Sequence, residues 1–148
     1  MAVTAFVYGR HLEGQYSATA ARRVDWVSDS IKVMLASSSY VPDQDAHDFV
    51  NDVTNEISGT GYTAGGAALG SKTVTYVGAS NQLQLDASDS QWTSATFTAR
   101  YAVIYKDTGT ASTSPLIAYV DFGADQSVSS GAFTIQWAAS GIVTLTAA

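Results

Sequence analysis

Alternation of apolar and polar side chains is clearest in TFTARYAVIYK, residues 96–106. Every second residue from Phe97 to Tyr105 is aromatic or aliphatic, whereas Arg100 and Lys106 belong to the other set. Successive side chains of a β-strand point to opposite faces of its sheet, so a period of two is the signature of a strand. The stretch therefore predicts a long strand in which residues 97, 99, 101, 103 and 105 share one face.

The same pattern recurs on both sides of this stretch and predicts about eight or nine strands in one domain, residues 1–148. Residues 78–81 and 138–141 each have the length of a common hairpin connection. Many short strands separated by turns are typical of an antiparallel β-sandwich or barrel, so we expect this all-β fold class. The other predicted strands lie at residues 3–8, 24–26, 31–36, 72–77, 82–86, 116–122, 132–137 and 142–147.

One segment, residues 45–57, carries apolar side chains at helical spacing. They stand at positions 46, 49, 53 and 57, after Asp45 as a candidate N-cap and with Asp48 in the first turn. Gly59 follows the last of them, where a left-handed residue is favoured. The segment therefore predicts one short helix near residues 46–57. For residues 11–23 a second helix and an extended arm both stay open, so residues 1–23 form a possible N-terminal arm or helix.

The composition limits the classes of function. The chain has no cysteine, which excludes disulfides and thiolate metal sites. It carries 7 basic and 13 acidic residues, and this net charge of −6 argues against a nucleic-acid partner, which needs clustered Lys and Arg. Only 14 % of the residues are charged, and such a surface suits strands that contact other proteins. The opening residues lack a signal-peptide pattern and a membrane span, so we expect no membrane partner.

Acidic residues cluster in the predicted helix, but their spacing does not match a calcium loop, which needs a glycine and a final glutamate at fixed distances. On the helix Asp48, Asp52 and Glu56 form a solvated stripe, so we predict no metal and no cofactor. His11 and His47 stand near no GxSxG motif, and no other catalytic constellation is visible. We expect a protein that is not an enzyme. The acidic cluster consists of Asp43, Asp45, Asp48, Asp52 and Glu56.

A glycine-rich stretch follows the predicted helix. A phosphate-binding loop runs from a strand into a helix, which is the opposite order, and it contains a lysine that is missing here. We interpret the stretch as a connecting loop that can order on docking and so as a candidate contact with another protein. The candidate docking residues are Gly59, Thr60, Gly61, Tyr62, Thr63, Gly65 and Gly66.

Tryptophan side chains offer either core packing or an exposed aromatic platform. Trp137 alternates with Phe133 and Ile135, which favours the core. Trp92 lies in a polar stretch and is the predicted exposed aromatic residue, while both interpretations stay open for Trp26. Exposed aromatic rings are common at protein interfaces, and a row of them would also offer a stacking platform for sugars.

Several strings resemble a group of small bacteriophage virion proteins. They are VDW at residues 24–26, DSIKVML at 29–35, the block 38–69, and residues 99–110 and 114–127. The similarity runs in the same order from about residue 24 to the end, whereas the segment before Val24 differs from the group. The resemblance implies a structural component of a phage particle that is assembled in the host cytoplasm in many copies. It brings no catalytic or ligand-binding residues.

Three hypotheses for the function follow. The first is a capsid decoration or cement protein that docks on the major capsid protein lattice and forms a homo-oligomer. The second is a tail or head–tail connector component, which would also have other virion proteins as partners. The third, from a different class, is a carbohydrate-binding module on a tail or fibre, and it depends on Trp92 and the tyrosines.

Overall fold

The computed structural model describes residues 2–18 and 20–147, and it confirms the predicted all-β class. Eight strands in this part of the chain form two antiparallel sheets, which are not closed into a barrel. One α-helix, α1 (Gly9–Tyr16), and three 3-10 helices (Ala20–Arg22, Val50–Asp52 and Ala111–Thr113) accompany them. The strands are β1 (Thr4–Val7), β2 (Ile31–Ala36), β3 (Ala67–Ala68), β4 (Thr73–Val77), β5 (Gln82–Asp86), β6 (Ser90–Lys106), β7 (Leu116–Ile135) and β8 (Val143–Thr146).

Strands β6 and β7 are the long central pair of the larger sheet, whose order is β1-β7-β6-β2-β3. They pair along most of their length, from Ser90 opposite Ile135 onwards. A register shift interrupts the ladder after Ala99, and Gly123 on β7 adopts a positive φ of 81° within this shift. Irregularities of this kind bend the strand and change the face that the following side chains occupy.

The shift corrects the prediction that residues 97–105 share one face. Phe97 and Ala99 lie in the main core, which also contains Leu85 of the smaller sheet. Val103 and Tyr105 lie instead in a second core on the other face of the larger sheet. The alternation on each side of the shift is real, but the two halves are out of phase, and the change of face falls where residues 122–125 of β7 lie opposite Arg100 alone.

The larger sheet is therefore buried on both faces, by different parts of the chain. The smaller sheet, of order β4-β5-β8, covers the main core. Tyr40 and Val50, from the segment between β2 and β3, cover the second core together with Tyr8. The phenol oxygens of Tyr8 and Tyr40 lie 2.9 Å apart, and the Tyr40 oxygen lies 3.0 Å from Nδ1 of His47. Because buried polar atoms need partners, this chain of contacts fixes the covering segment on the sheet.

The predicted helix near residues 46–57 is wrong. Only Val50–Asp52 forms a 3-10 turn there. The side chain of Asp43 accepts hydrogen bonds from the backbone N–H groups of Asp45 and Ala46, at 3.0 and 2.9 Å. Asp52 likewise accepts from the N–H of Asp48 at 2.9 Å. Short acidic side chains thus replace helical hydrogen bonds with turns, and the apolar residues of the segment pack on the sheet one at a time.

The helix of the structure is α1, which lies inside the N-terminal region where a helix or an arm was expected. Its Gln15 holds the chain that follows: the side-chain amide donates to the carbonyl of Arg22 at 2.9 Å and accepts from the N–H of Val24 at 3.1 Å. The strand predicted at residues 24–26 is wrong, because these residues lead into a turn. Trp26 is buried in the main core, and its indole N–H donates to the carbonyl of Asp86 at 2.9 Å.

One of the two predicted hairpins is confirmed and the other is wrong. Strands β4 and β5 pair across residues 78–81 as predicted. Residues 138–141, in contrast, carry the chain from one sheet to the other, because β7 ends in the larger sheet and β8 pairs with β5 in the smaller one. A connection of hairpin length therefore joins two layers of the sandwich here.

Candidate protein interfaces

The glycine-rich loop 59–66, predicted as a docking loop, is packed along β6 and β2. The backbone of Thr60 pairs with Thr96, and the Thr60 carbonyl accepts a 3.0 Å hydrogen bond from the Thr96 N–H. Gly66 has a φ of +77°, and a Cβ at this position would lie 1.9 Å from the carbonyl oxygen of Val33. The loop contains glycine because its backbone touches neighbouring strands more closely than a side chain allows.

The side chain of Tyr62 ties this loop to the core. Its hydroxyl accepts a hydrogen bond from the N–H of Leu35 at 3.0 Å and donates to Oε1 of Glu56 at 2.7 Å. Burial is the main reason that the pKa of Tyr62 lies far above its usual value, so the phenol keeps its proton. The same Glu56 oxygen accepts from the N–H of Gly65 at 2.6 Å. The hydrogen-bonding groups that tether this loop are thus satisfied within the chain.

The prediction that Trp92 is exposed is wrong. Its side chain is 5 % exposed and belongs to the main core. The ring meets Phe97 and Phe133 edge to face, with centroids 6.4 and 6.0 Å away, and Tyr62 at 6.2 Å. The polar neighbours of Trp92 lie on the outer face of β6 and misled the sequence interpretation. The carbohydrate-binding hypothesis therefore loses the residue on which it mainly rested.

An apolar surface that sequence reasoning missed lies on β4. Residues directly opposite each other in antiparallel strands have side chains on the same face. Val74 lies opposite Leu85, which lies opposite Val143. Exposure rises along this row, from 2 % at Val143 and 9 % at Leu85 to 47 % at Val74. The inner face of the smaller sheet is thus covered at β8 and uncovered at β4.

The next row repeats this gradient. Tyr76 lies opposite Leu83, and Leu83 lies opposite Leu145. Both leucines pack against the main core, whereas Tyr76 is 58 % exposed. Within the described chain β4 also has a strand partner on one side only, so its other backbone edge is open. We define the β4 edge as Thr73–Val77, with its open backbone and its two uncovered apolar side chains.

A second apolar surface lies on the opposite side of the sandwich, where β1 runs beside β8. A groove of about 520 Å³ opens there, lined by Val3 and Ala5 from the β1 side, by Phe122 and Phe133 of β7, and by Trp137 and Ile142 of the connection to β8. A smaller cavity of about 140 Å³ between β1 and β8 continues it. Val3 is 63 % exposed. We refer to this surface as the β1–β8 groove.

Charged side chains are used mainly in pairs that hold strands and turns. Nε of Arg100 on β6 lies 2.6 Å from Oδ1 of Asp121 on β7. Nζ of Lys32, near the first residue of β2, lies 2.6 Å from Oδ2 of Asp107. These hydrogen bonds lower the pKa of both carboxyl groups. Burial lowers the pKa of His11, on α1, to about 4. Residues 2–18 and 20–147 contain no group of three or more acidic or histidine side chains arranged to hold a metal ion.

No known protein family, no curated protein and no solved structure matches this chain. In the described ranges, no helix is long and apolar enough to cross a bilayer. Two apolar areas distinguish the surface of the described chain, and they lie on opposite sides of the sandwich, each beside an open strand edge.

Proposed function

We propose that this chain is a non-enzymatic structural component of a bacteriophage particle, and specifically a capsid decoration protein that docks on the lattice of the major capsid protein. The observation that carries the proposal is the pair of uncovered apolar surfaces, the β4 edge and the β1–β8 groove. Contiguous apolar areas on a protein surface commonly mark contacts with other proteins. The resemblance of residues 24–148 to small virion proteins favours a phage particle as the assembly in which these contacts form.

The placement of the two surfaces supports a role in assembly. Strand β8 lies next to β1, and β4 lies at the far edge of the same three-stranded sheet. One subunit can therefore contact two neighbours at once, a capsid subunit through one side and another copy through the other. Repeated contacts of this kind build symmetric assemblies, in which many weak interfaces add up. In this proposal the protein is assembled into particles in the host cytoplasm and is a component of the mature virion.

The groove is the side that we assign to the capsid. Its lining is concave and mostly apolar, with Gln126, Thr134 and Gln136 as polar members, so it fits a protruding, largely apolar segment of a partner protein. Val3 on its rim is accessible for substitution because most of its side chain is exposed. Val27 is a matched control, since it is 53 % exposed and lies outside the groove.

Binding of the purified protein to empty capsids tests the proposal. We expect the wild-type protein to co-sediment with capsids, V3D to bind about tenfold more weakly or worse, and V27D to bind like the wild type, because burying an unpaired carboxylate is costly. Failure of the wild-type protein to bind either heads or tails would remove the virion role.

A tail or head–tail connector component is the alternative within the same class, and copy number separates the two. A decoration protein is present in hundreds of copies for each particle, whereas a connector or tail component is present in a few tens or fewer. Quantitative mass spectrometry of purified particles gives this number directly.

A further inference from the structure

We infer that the β4 edge is a homotypic interface, at which β4 pairs antiparallel with β4 of a second copy about a two-fold axis. The inference deepens the proposed function and rests on the self-association which that function requires. Such a dimer forms in the isolated protein without a capsid.

Strand β4 combines an open backbone edge with uncovered apolar side chains. Its outer backbone edge has no strand partner in the described chain, and Val74 and Tyr76 stand on the core-facing side without cover. A strand added to an open edge satisfies the backbone, and its alternate side chains extend the face of the sheet. The strand that fits must therefore be extended and apolar at alternate positions on one face.

The distribution of charge allows a second copy of the same chain to pair at this edge. Two identical subunits that each carry a charge of −6 repel each other over most of their surfaces. No charged residue occurs between Thr73 and Leu85, so two β4 edges meet without like charges opposite each other. Edge strands are commonly protected from pairing by lysine, proline or a bulge, and β4 contains none of these.

The β4 edge is complementary to a second copy of itself. A two-fold register centred on Thr75 places Val74 opposite Tyr76 of the partner subunit, and Tyr76 opposite the partner's Val74. The four side chains then stand together on one face of a continuous six-stranded sheet. Each of them loses exposed apolar surface, and an aromatic residue opposite a β-branched one is a favourable cross-strand pair.

The opposite edge of the same sheet lacks this combination, which makes it the internal control. Strand β8 is also uncharged, but its inward side chain Val143 is only 2 % exposed. Thr75 on β4 and Thr144 on β8 lie in one row, because both are opposite Gln84 of β5. Both threonines are exposed, and the same substitution at the two positions compares the free β4 edge with the β8 edge, where Thr144 also lines the small cavity beside β1.

The first test compares T75K with T144K by sedimentation velocity. An interface of one strand pair is small, so we expect wild-type dimers with a dissociation constant of about 0.1–1 mM. T75K places two lysines opposite each other and should weaken the dimer about tenfold or more. T144K should change it by no more than about twofold. Circular dichroism checks that both variants keep the fold.

The second test uses the absence of native cysteine. With a short bismaleimide, T75C should form a covalent dimer at these concentrations, and T144C should not. A wild-type protein that stays strictly monomeric, or cross-linking of T144C in place of T75C, would overturn the inference. A monomer whose capsid binding is lost in T75K would also overturn it, since the edge would then accept a strand of the capsid protein. If capsid binding fails while the β4 dimer forms, only the virion role is lost.

Discussion

The glycine-rich loop 59–66 and the β4 edge differ in how far their backbone groups are hydrogen-bonded within the chain. The loop is glycine-rich and polar, the usual description of a segment free to dock, yet its backbone and Tyr62 are bonded to β2, β6 and Glu56. β4 looks like an ordinary strand of a hairpin, yet it leaves its edge and two apolar side chains uncovered. A high glycine content alone therefore does not show that a segment is unpaired, whereas an open strand edge and uncovered apolar side chains are visible only in the structure.

The largest effect that separates the two regions is expected at their aromatic residues. W92A removes a ring at the centre of the core beside the loop and should lower the free energy of unfolding by about 3–5 kcal/mol. Y76A removes an exposed ring on β4 and should cost less than about 1 kcal/mol in dilute, monomeric protein. Urea denaturation of both variants measures the difference. Equal losses would show that Trp92 is not the buried member of the pair.

A second prediction concerns the close approach of the loop to β2. G66A should cost on the order of 3 kcal/mol, because the added Cβ meets the Val33 carbonyl oxygen and the strand or the loop must move. Gly109 is the matched control, since it has a similar φ of +84° but no atom within 4 Å of an added Cβ. G109A should lower the free energy of unfolding by only about 1–2 kcal/mol, because alanine disfavours the left-handed conformation but meets no other atom there. If thermal unfolding gives G66A the smaller loss, the loop is not packed as described.

A third prediction isolates one hydroxyl. Y62F keeps the ring but removes the acceptor for the Leu35 N–H and the donor to Glu56. A buried N–H left without a partner costs about 1–3 kcal/mol, so urea denaturation should give Y62F a free energy of unfolding lower by that amount. Y76F, on the exposed strand, should be within about 0.5 kcal/mol of the wild type. A Y62F variant as stable as the wild type would indicate that the loop is held by other contacts.

The smallest expected effect is that of a chelator. Asp43, Asp52 and Glu56 already accept hydrogen bonds from N–H or hydroxyl groups of their own chain. EDTA should therefore leave the melting temperature unchanged, and added calcium should not raise it. A melting temperature that falls with EDTA and recovers with calcium would show that a cation, rather than these hydrogen bonds, anchors the loop.

Local features of the sequence predict much of the fold. Strand β2 occupies the predicted residues 31–36, and the β4–β5 hairpin forms around the predicted turn, because alternation and turn residues act within a few positions. The burial of Trp92 could not be predicted in this way. It depends on how 17 residues of β6 pair with β7 across several register shifts, and such pairing is a long-range property.

The other differences between the predicted and the observed structure have similar causes. The segment 45–57 has helical spacing, but aspartate side chains bond the backbone N–H groups that a helix would use. The connection 138–141 has hairpin length, but β8 finds its partner in β5 of the other sheet. The β4 edge was missed because a pattern of alternation shows which residues share a face and does not show where the opposing layer ends.

Hydrogen exchange of the wild-type protein at two concentrations tests the contrast between loop and edge most directly. The amides of residues 59–66 that are bonded within the chain, such as those of Tyr62, Gly65 and Gly66, should be protected equally in dilute and concentrated protein. The outward-facing amides of β4 should exchange rapidly in dilute protein and become protected as concentration rises towards the dissociation constant. Rapid exchange throughout the loop, together with β4 protection that does not depend on concentration, would contradict the account.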